Sequence, residues 1–335
     1  MAATTRAVST AVSEDSLFIP LIDFSLFLNG SEEDKKAAAN GMINGFKDAG
    51  FIYIKNHGIP QDVIDRVFSE SARFFQRPKG EKEALAWASH PLPLKRVTQL
   101  SDPTLVAALR SVNPDLKESF EIGRDNEPGH PNNWPHDSAG DVFTTIMQAF
   151  FVTCHHLHIE VMRAIGLGMG LGPGFFDAFT NVGDHTLRLL HYPATHKDVF
   201  AQNRDQVRAG RHTDYGSITL LFQDDKGGLQ VKSPQGTFVN ATPISGAIVV
   251  NAGDLLARWS NDLIKSTEHQ VVEPPQAEAV GDEYPSRYSC AYFCNPNFDA
   301  SIEVLPGTYA TEAEKKYSAI NSGQYLVQRL ASTYV

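Results

Sequence analysis

The stretch from residue 183 to residue 300 constrains the fold most, because it consists of short apolar runs separated by glycine, proline and asparagine. The runs include TLRLLHYP, SITLLFQD, GLQVKS, AIVVNAG and RYSCAYFCN. They are rich in branched and aromatic residues and have the length of β-strands. Closely spaced short strands are typical of an antiparallel β-sandwich or barrel. We therefore predict a β core over 183–300.

Helical patterns flank this β core on both sides. Apolar residues recur at helical spacing after Ser31, over 61–76 and over 141–170, and again in the C-terminal sequence. Ser31 precedes three acidic residues, which favours a helix N-terminus there. The chain is predicted to form one domain over 17–335, in which 17–180 is mostly helical and 301–335 is a C-terminal helical segment. Residues 1–16 are predicted to be a disordered tail.

The segment 88–137 contains many prolines and shows little periodicity. Long irregular loops in compact domains are often functional lids. We predict that part of this segment is a loop that folds over a site, and the stretch 88–112 is its most unusual part.

Composition argues against several classes of function. The chain has 29 Lys and Arg against 39 Asp and Glu, a net charge of −10, whereas binding to nucleic acid or an anionic membrane usually needs a basic surface. It has no secretory signal pattern and no apolar run of the ~18 residues that span a membrane. Its three cysteines imply reduced, buried thiols rather than a disulfide framework. We expect a cytoplasmic protein that binds a small molecule.

His212 and Asp214 are separated by one residue, so on a strand both side chains point to the same face. His269 begins another strand-like run. Two histidines and one carboxylate form a facial triad that leaves positions open on an octahedral ion, an arrangement that suits non-haem Fe(II). Zinc is the alternative, although its sites more often have three or four tight tetrahedral ligands.

Arg287 and Ser289 form a second pair on one strand face. A buried arginine needs an anionic partner, because an unpaired buried charge is costly. Its planar guanidinium matches a carboxylate through two hydrogen bonds. The ordered set His-x-Asp, His, Arg-x-Ser therefore predicts a metal site with a carboxylate-binding site beside it.

With these motifs the sequence resembles the Fe(II)/2-oxoglutarate-dependent dioxygenases of the isopenicillin N synthase-like subgroup. Within that subgroup it looks most like the fungal members. The resemblance extends to the segments PLIDF, GFIYIKNHGIP, HTDYGSITLLFQD, NAGDLLARWSND and KSTEHQVV. It implies an α+β to mainly β fold, in which a distorted double-stranded β-helix, or jelly roll, has flanking N-terminal helices and a C-terminal helix.

The resemblance also implies roles for the motif residues. It implies that three residues bind the iron, namely His212, Asp214 and His269. It places the distal carboxylate of 2-oxoglutarate on three others, Arg287, Ser289 and Tyr192. With O₂, and with ascorbate as a supporting reductant, such an enzyme oxidises a C–H bond of a small substrate and releases succinate and CO₂. Leu190 departs from the family pattern, which often has asparagine there, and so does Gln270, where arginine is common.

Three residues are predicted to contact the primary substrate. Arg188 shares a strand face with Tyr192, Tyr215 follows a predicted ligand, and Phe293 shares a face with Arg287. For Arg188 the alternative is a structural carboxylate or solvent, and for Phe293 it is ordinary core packing.

The predicted substrate is a small fungal-type secondary metabolite, and the alternative is a thymine-type pyrimidine. Three other functions are compatible with the motifs. One is an iron oxidase of the same fold that does not use 2-oxoglutarate. The second is a zinc hydrolase, and the third is a binding module without catalysis. The oligomeric state is not indicated by the sequence.

Overall fold

The fold is known from a computed structural model, which describes residues 7–85, 115–125, 127, 130–203, 206–274 and 280–333. The predicted loop stretch 88–112 lies outside these residues. The helices are α1 Ser25–Asn29, α2 Glu32–Asp48, α3 Gln61–Phe75, α4 Lys79–Ala84, α5 Ser138–Gly168, α6 Asp177–Thr180, α7 Asp198–Gln202, α8 Asp254–Trp259 and α9 Ser322–Thr333. The strands are β1 Val8–Glu14, β2 Leu17–Asp23, β3 Phe51–Lys55, β4 Glu118–Gly123, β5 Thr186–Tyr192, β6 Thr195–His196, β7 Ala209–His212, β8 Ile218–Gln223, β9 Leu229–Lys232, β10 Phe238–Asn240, β11 Ala247–Ala252, β12 His269–Val271, β13 Glu283–Tyr284, β14 Arg287–Cys294, β15 Ser301–Ile302 and β16 Ile320–Asn321.

Two sheets make up the centre of the molecule. The larger has eight strands in the order β1-β2-β3-β11-β8-β14-β5-β4, and the smaller has four in the order β10-β9-β12-β7. Neighbouring strands of both sheets run antiparallel, except that β2 and β3 are parallel. The protein is thus a mixed helix and strand structure with large sheets.

The large sheet is buried on both faces. One face packs on α2, α3 and α5 through a hydrophobic cluster that includes Phe46, Phe74 and Phe150. The other face shares a second cluster with the small sheet, in which Tyr53 and Val249 from the large sheet meet residues of β9 and β12. The resulting order of layers is helices, large sheet, small sheet. Burial of these apolar side chains is the main force that holds such layers together.

The predicted helices are present, and their ends follow local chemistry. Ser31 accepts a hydrogen bond from the Asp34 N–H, and the Asp34 carboxylate accepts one from the Ser31 N–H, so α2 begins with a capping box. The helix predicted over 141–170 is α5, Ser138–Gly168, which starts three residues earlier because the Asp137 carboxylate accepts the Gly140 N–H at 2.7 Å.

The N-terminal segment differs from its prediction. Residues 8–14 form β1, which pairs antiparallel with β2, and Ala7 is buried in the main core. The disordered tail predicted over 1–16 was therefore wrong for this part. The sequence of this segment is polar and rich in threonine and serine, so it has no apolar pattern that predicts a strand. The segment is ordered by its backbone hydrogen bonds to β2.

The β core also draws on more of the chain than 183–300. Strands β1 to β4 come from the first 123 residues and join the same large sheet as β5, β8, β11 and β14. The segment after residue 300 contains the short strands β15 and β16 before α9. All three cysteines are buried and free, as predicted. Within the described ranges, no helix combines the length and the apolar character needed to cross a membrane.

Candidate metal and co-substrate site

The small sheet brings together the three predicted metal ligands. His212 ends β7, His269 begins β12, and the two residues are direct partners across the antiparallel pair. Asp214 lies two residues beyond His212. The Asp214 Oδ1 atom is 3.9 Å from the Nε2 atom of His212 and 3.8 Å from that of His269. Three donor atoms from two strands and a loop thus surround one point.

Backbone carbonyls fix the tautomers of both histidines. The Nδ1 of His212 lies 2.7 Å from the Gly210 oxygen, and the Nδ1 of His269 lies 3.2 Å from the Thr267 oxygen. A carbonyl only accepts, so each Nδ1 carries the proton and donates it. In a neutral ring, Nε2 then has a free lone pair, and both Nε2 atoms face Asp214. This is the arrangement that metal-binding histidines need.

The carboxylate of Asp214 is oriented in the same way. Its Oδ2 accepts hydrogen bonds from the Asn251 amide at 2.7 Å and from the Thr219 hydroxyl at 2.5 Å, which leaves Oδ1 directed at the imidazoles. Burial alone raises the pKa of Asp214, but the two imidazoles and these two hydrogen bonds outweigh burial and lower it. Asp214 is therefore ionised at neutral pH.

Asn251 is a residue that sequence analysis missed. The sequence Asn-Ala-Gly-Asp is typical of a turn, yet Asn251 lies on the buried strand β11. An asparagine at the end of an apolar strand was the available signal, because a buried amide needs partners.

His212 is neutral at neutral pH. Desolvation, followed by the neighbouring charge of His269, lowers its pKa to about 4, although its side chain remains 41% exposed. A neutral ring keeps the Nε2 lone pair available to a metal at physiological pH. The open side of His212 faces the cavity described below.

The predicted carboxylate site lies on β14 of the large sheet and on its neighbour β5. Arg287 is buried, and each of its nitrogens has one neutral partner: Nε donates to the Gly227 oxygen, Nη1 to the Ser289 hydroxyl and Nη2 to the Gln223 amide oxygen. Tyr192 is the direct partner of Arg287 on β5, and its ring lies 4.9 Å from the guanidinium carbon. The structure therefore places Arg287, Ser289 and Tyr192 together.

Arg287 forms no ion pair within the described part of the chain. Its three hydrogen-bond partners are a carbonyl, a hydroxyl and an amide oxygen. A fully buried cation without an anion in contact is costly, and a bound carboxylate would remove that cost. The site therefore has the chemistry to take one carboxylate.

A cavity of about 890 Å³ opens beside the three donor atoms. His212 and Asp214 line it, and so do the three residues predicted to contact substrate, Arg188, Tyr215 and Phe293. The Arg188 guanidinium carbon lies 4.8 Å from the centre of the Phe293 ring. Its Nε also donates to the buried Glu121 carboxylate on β4 at 2.7 Å. Arg188 thus has both a cavity face and a structural carboxylate partner.

The C-terminal helix α9 forms the outer wall of this cavity. Its contributing residues are Gly323, Gln324, Leu326, Val327, Gln328 and Leu330. Arg329 on the same helix pairs with Asp254 at 2.7 Å, and Asp254 also accepts the hydroxyl proton of Thr213, the residue between the two ligands of the His-x-Asp motif. Sequence reasoning missed this wall, because no local pattern links the last helix to the motif.

A second histidine cluster lies behind the large sheet. Ring nitrogens of His155 and His158 on α5 and of His185 before β5 lie within 4.8 Å of one another. The Nδ1 of His185 accepts the Asn295 backbone N–H, so in the neutral ring Nε2 carries the proton and points at the His155 Nδ1, 3.1 Å away. Burial lowers the pKa of His185 well below its usual range, so its ring is neutral. The His155–His185 hydrogen bond therefore occupies one nitrogen of each of these rings, and His158 is left without a hydrogen-bond partner among the described residues.

Comparison with known protein families agrees with this geometry. Residues 19–137 match the family described as the non-haem dioxygenase in morphine synthesis N-terminal region, and residues 183–296 match the 2OG-Fe(II) oxygenase superfamily. The chain belongs to the 2OG-Fe(II) oxygenase superfamily. It is a non-haem dioxygenase whose cofactors are Fe(II) and 2-oxoglutarate, which confirms the predicted reaction class.

A fungal protein with solved structures is similar to this oxygenase over almost its whole length. A full-length protein of Neurospora crassa, solved with alpha-KG and thymine, is 57% identical and has a TM-score of 0.88, with coverage of 97% of this chain and 100% of that one. The same Neurospora protein was also solved with alpha-KG and 5-formyluracil, at 56% identity, a TM-score of 0.89 and coverage of 97% and 99%.

More distant relatives have other names. The 2-oxoglutarate-Fe(II) type oxidoreductase ppzD of Metarhizium rileyi is 33% identical, with coverage of 93% of this chain and 90% of that protein. The proline hydroxylase buaE of Petromyces alliaceus is also 33% identical, with coverage of 93% and 98%.

The donor set of the oxygenase fits its cofactors. Two neutral imidazole nitrogens and one carboxylate oxygen on one side of an ion form the donor set of Fe(II) sites with open positions. The guanidinium of Arg287 and the hydroxyl of Ser289 beside it fit a carboxylate. Both fits rest on the hydrogen bonds described above.

Proposed function

We propose that this oxygenase oxidises the methyl group of thymine or a closely similar 5-methylpyrimidine. The observation that carries the proposal is the stacked pair of Arg188 and Phe293 in the same cavity as His212 and Asp214. A flat ring can stack on Phe293, while a guanidinium donates to ring carbonyl oxygens. The amides of Gln324 and Gln328 at the cavity wall offer both donors and acceptors to such a ring.

The likeness to the Neurospora protein supports this substrate class. That protein is 56% to 57% identical over almost the whole chain and was solved with thymine and with 5-formyluracil. These two molecules differ only in the oxidation level of the carbon attached to C5 of the ring. By analogy, the substrate carbon here is that exocyclic carbon.

We assign the site residues accordingly. His212, Asp214 and His269 are proposed to bind the iron. Arg287, Ser289 and Tyr192 are proposed to hold the distal carboxylate of 2-oxoglutarate, and Arg188, Tyr215 and Phe293 to contact the pyrimidine. The bound iron and 2-oxoglutarate supply the oxidation of the C–H bond, with O₂ as the oxidant and succinate and CO₂ as products. The residues of the chain orient the reactants and exclude water.

The proposed fold and setting follow from the same features. The facing eight-stranded and four-stranded sheets support a distorted double-stranded β-helix, with the two histidine ligands on the small sheet. A single oxygenase domain is proposed for residues 17–335, to which β1 is now added.

Three buried free thiols support a reducing compartment such as the cytoplasm. We propose no nucleic-acid or membrane partner.

A small secondary metabolite is the second candidate substrate. It is supported by fungal relatives such as ppzD and buaE, at 33% identity, of which buaE is named for proline hydroxylation. We place this candidate behind a pyrimidine because the Neurospora protein is much closer in sequence.

The test is substrate-coupled release of succinate. The purified protein with Fe(II), ascorbate and 2-oxoglutarate is given thymine, uracil or L-proline, and succinate and the oxidised product are quantified by mass spectrometry. We expect the first oxidation to add one oxygen atom to thymine and to release one succinate. Uracil is the matched control, because it has the same ring without the methyl group. Coupled oxidation of proline with none of thymine would contradict the pyrimidine proposal and favour the second candidate.

A further inference from the structure

Arg208 is a second buried arginine close to the co-substrate site. It lies immediately before β7, it is 0% exposed, and its backbone N–H donates to the Val271 oxygen on β12. Its Nη2 donates to the Pro285 oxygen at 3.2 Å, and Pro285 precedes Arg287 by two residues. Arg208 is thus held between the strand that carries His269 and the segment that leads into Arg287.

Two of the three guanidinium nitrogens of Arg208 lack acceptors. Among the described residues, neither its Nε nor its Nη1 has a hydrogen-bond partner, although both atoms are buried. These two atoms carry three of the five N–H groups of a guanidinium. Leaving buried donors of a charged group unsatisfied is costly, so the position calls for an acceptor that joins the site.

The surroundings indicate that this acceptor is an anion. Burial, and then the positive charge of Arg287, lower the pKa of Arg208 to about 10, so Arg208 remains protonated at neutral pH. One acidic group that offsets this effect is Asp224, but its two oxygens already accept the backbone N–H groups of Tyr288 and Lys226. Two neighbouring buried cations are left without a carboxylate in contact in the described ranges.

We propose that Arg208 is a second guanidinium for the distal carboxylate of 2-oxoglutarate and acts with Arg287 as a clamp. One carboxylate has about four lone-pair sites and can accept hydrogen bonds from two guanidinium groups. In this arrangement Arg208 selects for a co-substrate with a negatively charged far end. The proposal rests on the use of 2-oxoglutarate and is independent of the identity of the primary substrate.

The test measures equilibrium binding rather than turnover. The full-length protein loaded with Fe(II) is titrated calorimetrically, without O₂, with 2-oxoglutarate and with 2-oxopentanoate, which has the same keto acid end but no second carboxylate. For Arg208→Met we expect binding of 2-oxoglutarate about tenfold to a hundredfold weaker than in the wild type. Binding of 2-oxopentanoate should stay within about twofold, because the lost charge faces nothing in that ligand.

Three further variants make the result decisive. Arg287→Met should behave in the same sense as Arg208→Met, and Arg208→Lys should show a smaller loss because it keeps the charge. Arg73→Met is the matched control, since Arg73 is 70% exposed on α3, and it should change neither affinity. If Arg208→Met does not fold, Arg208→Lys carries the comparison.

The stability of the ligand-free protein separates binding from structure. Removing an unsatisfied buried charge should leave the urea-unfolding midpoint of Arg208→Met unchanged or higher. An equal loss of affinity for both keto acids, or no loss for either, would overturn the proposal and leave Arg208 with a structural role at Pro285.

Discussion

Within the described ranges the oxygenase has two clusters of three candidate metal ligands, and hydrogen bonds make them different. At His212, Asp214 and His269, backbone carbonyls hold the protons on the outer nitrogens, so that the inner atoms converge with free lone pairs. At His155, His158 and His185, a backbone N–H occupies one nitrogen of His185 and forces its proton toward the centre. The distances between the candidate donor atoms do not distinguish the clusters, because in each cluster these atoms lie within 4.8 Å of one another.

The two clusters also differ in access to solvent and substrate. His212 is 41% exposed on a cavity of about 890 Å³, whereas His158 is 0% exposed and neither of its ring nitrogens has a partner among the described residues. The hydrogen-bond partners of a candidate ligand therefore decide whether it can bind a metal. A metal site needs orienting groups and an open side as well as three donors.

The largest effect is expected at the carboxylate. Asp214→Ala removes the single anionic donor of the first cluster, so binding of Fe(II) should weaken by more than about a hundredfold and succinate formation should be lost. Anaerobic calorimetry with Fe(II) measures the affinity. His155→Ala, which changes the second cluster instead, should still bind one Fe(II). A metal lost from His155→Ala and kept in Asp214→Ala would reverse the assignment of the two clusters.

An intermediate effect is expected where only the orientation of a ligand changes. Asn251→Ala leaves all three donors in place but removes one of the two hydrogen bonds to Oδ2 of Asp214, so Fe(II) should bind about 10- to 100-fold more weakly. Asn240→Ala on β10 is the matched control, because that side chain is exposed and bonds only to Gln230 among the described residues. Identical Fe(II) affinities for the two variants would show that the donors alone suffice.

The smallest effect on iron binding is expected at the second cluster, where a substitution should change the stability of the protein instead. Burial lowers the pKa of His158 to about 3 from an ordinary value of 6.5. Between these values the unfolded chain binds a proton that the folded chain refuses, so the free energy of unfolding falls as pH falls from 6.5 toward 3. His158→Leu removes this proton uptake.

Urea unfolding of the metal-free protein at pH 7 and pH 4.5 measures that difference. From the higher to the lower pH, wild type should lose about 2–3 kcal/mol more than His158→Leu. Fe(II) affinity at pH 7 should be the same for both. An equal pH dependence of the two proteins would mean that His158 does not titrate differently on folding.

Much of the site could be predicted from the sequence, because its motifs are local. One intervening residue puts His212 and Asp214 on one side of the chain, and the same spacing relates Arg287 to Ser289. The structure brings these residues together with His269 and Tyr192, across the register of β7 with β12 and of β5 with β14. The strands over 183–300 and the long helix α5 were likewise visible from their apolar periodicity.

The parts that were missed depend on contacts between distant segments. Asn251 reaches Asp214 across 37 positions, and Arg329 on the last helix reaches Asp254 at the start of α8. Strands β1 and β2 are close together in the sequence, but β1 is polar and has no apolar pattern that would predict a strand. A polar side chain shows its role only when its partner is known, whereas an apolar strand shows its role through its own pattern.

The most direct test of the central claim is the position of the bound metal. Crystals of the protein grown with Mn(II) or Fe(II) and 2-oxoglutarate would be measured at the absorption edge of the metal. We expect one anomalous peak, bounded by the Nε2 atoms of His212 and His269 and by Oδ1 of Asp214, with no peak at His155, His158 and His185. A peak at the second cluster, or none at the first, would contradict the claim that hydrogen-bonded tautomers decide which cluster binds iron.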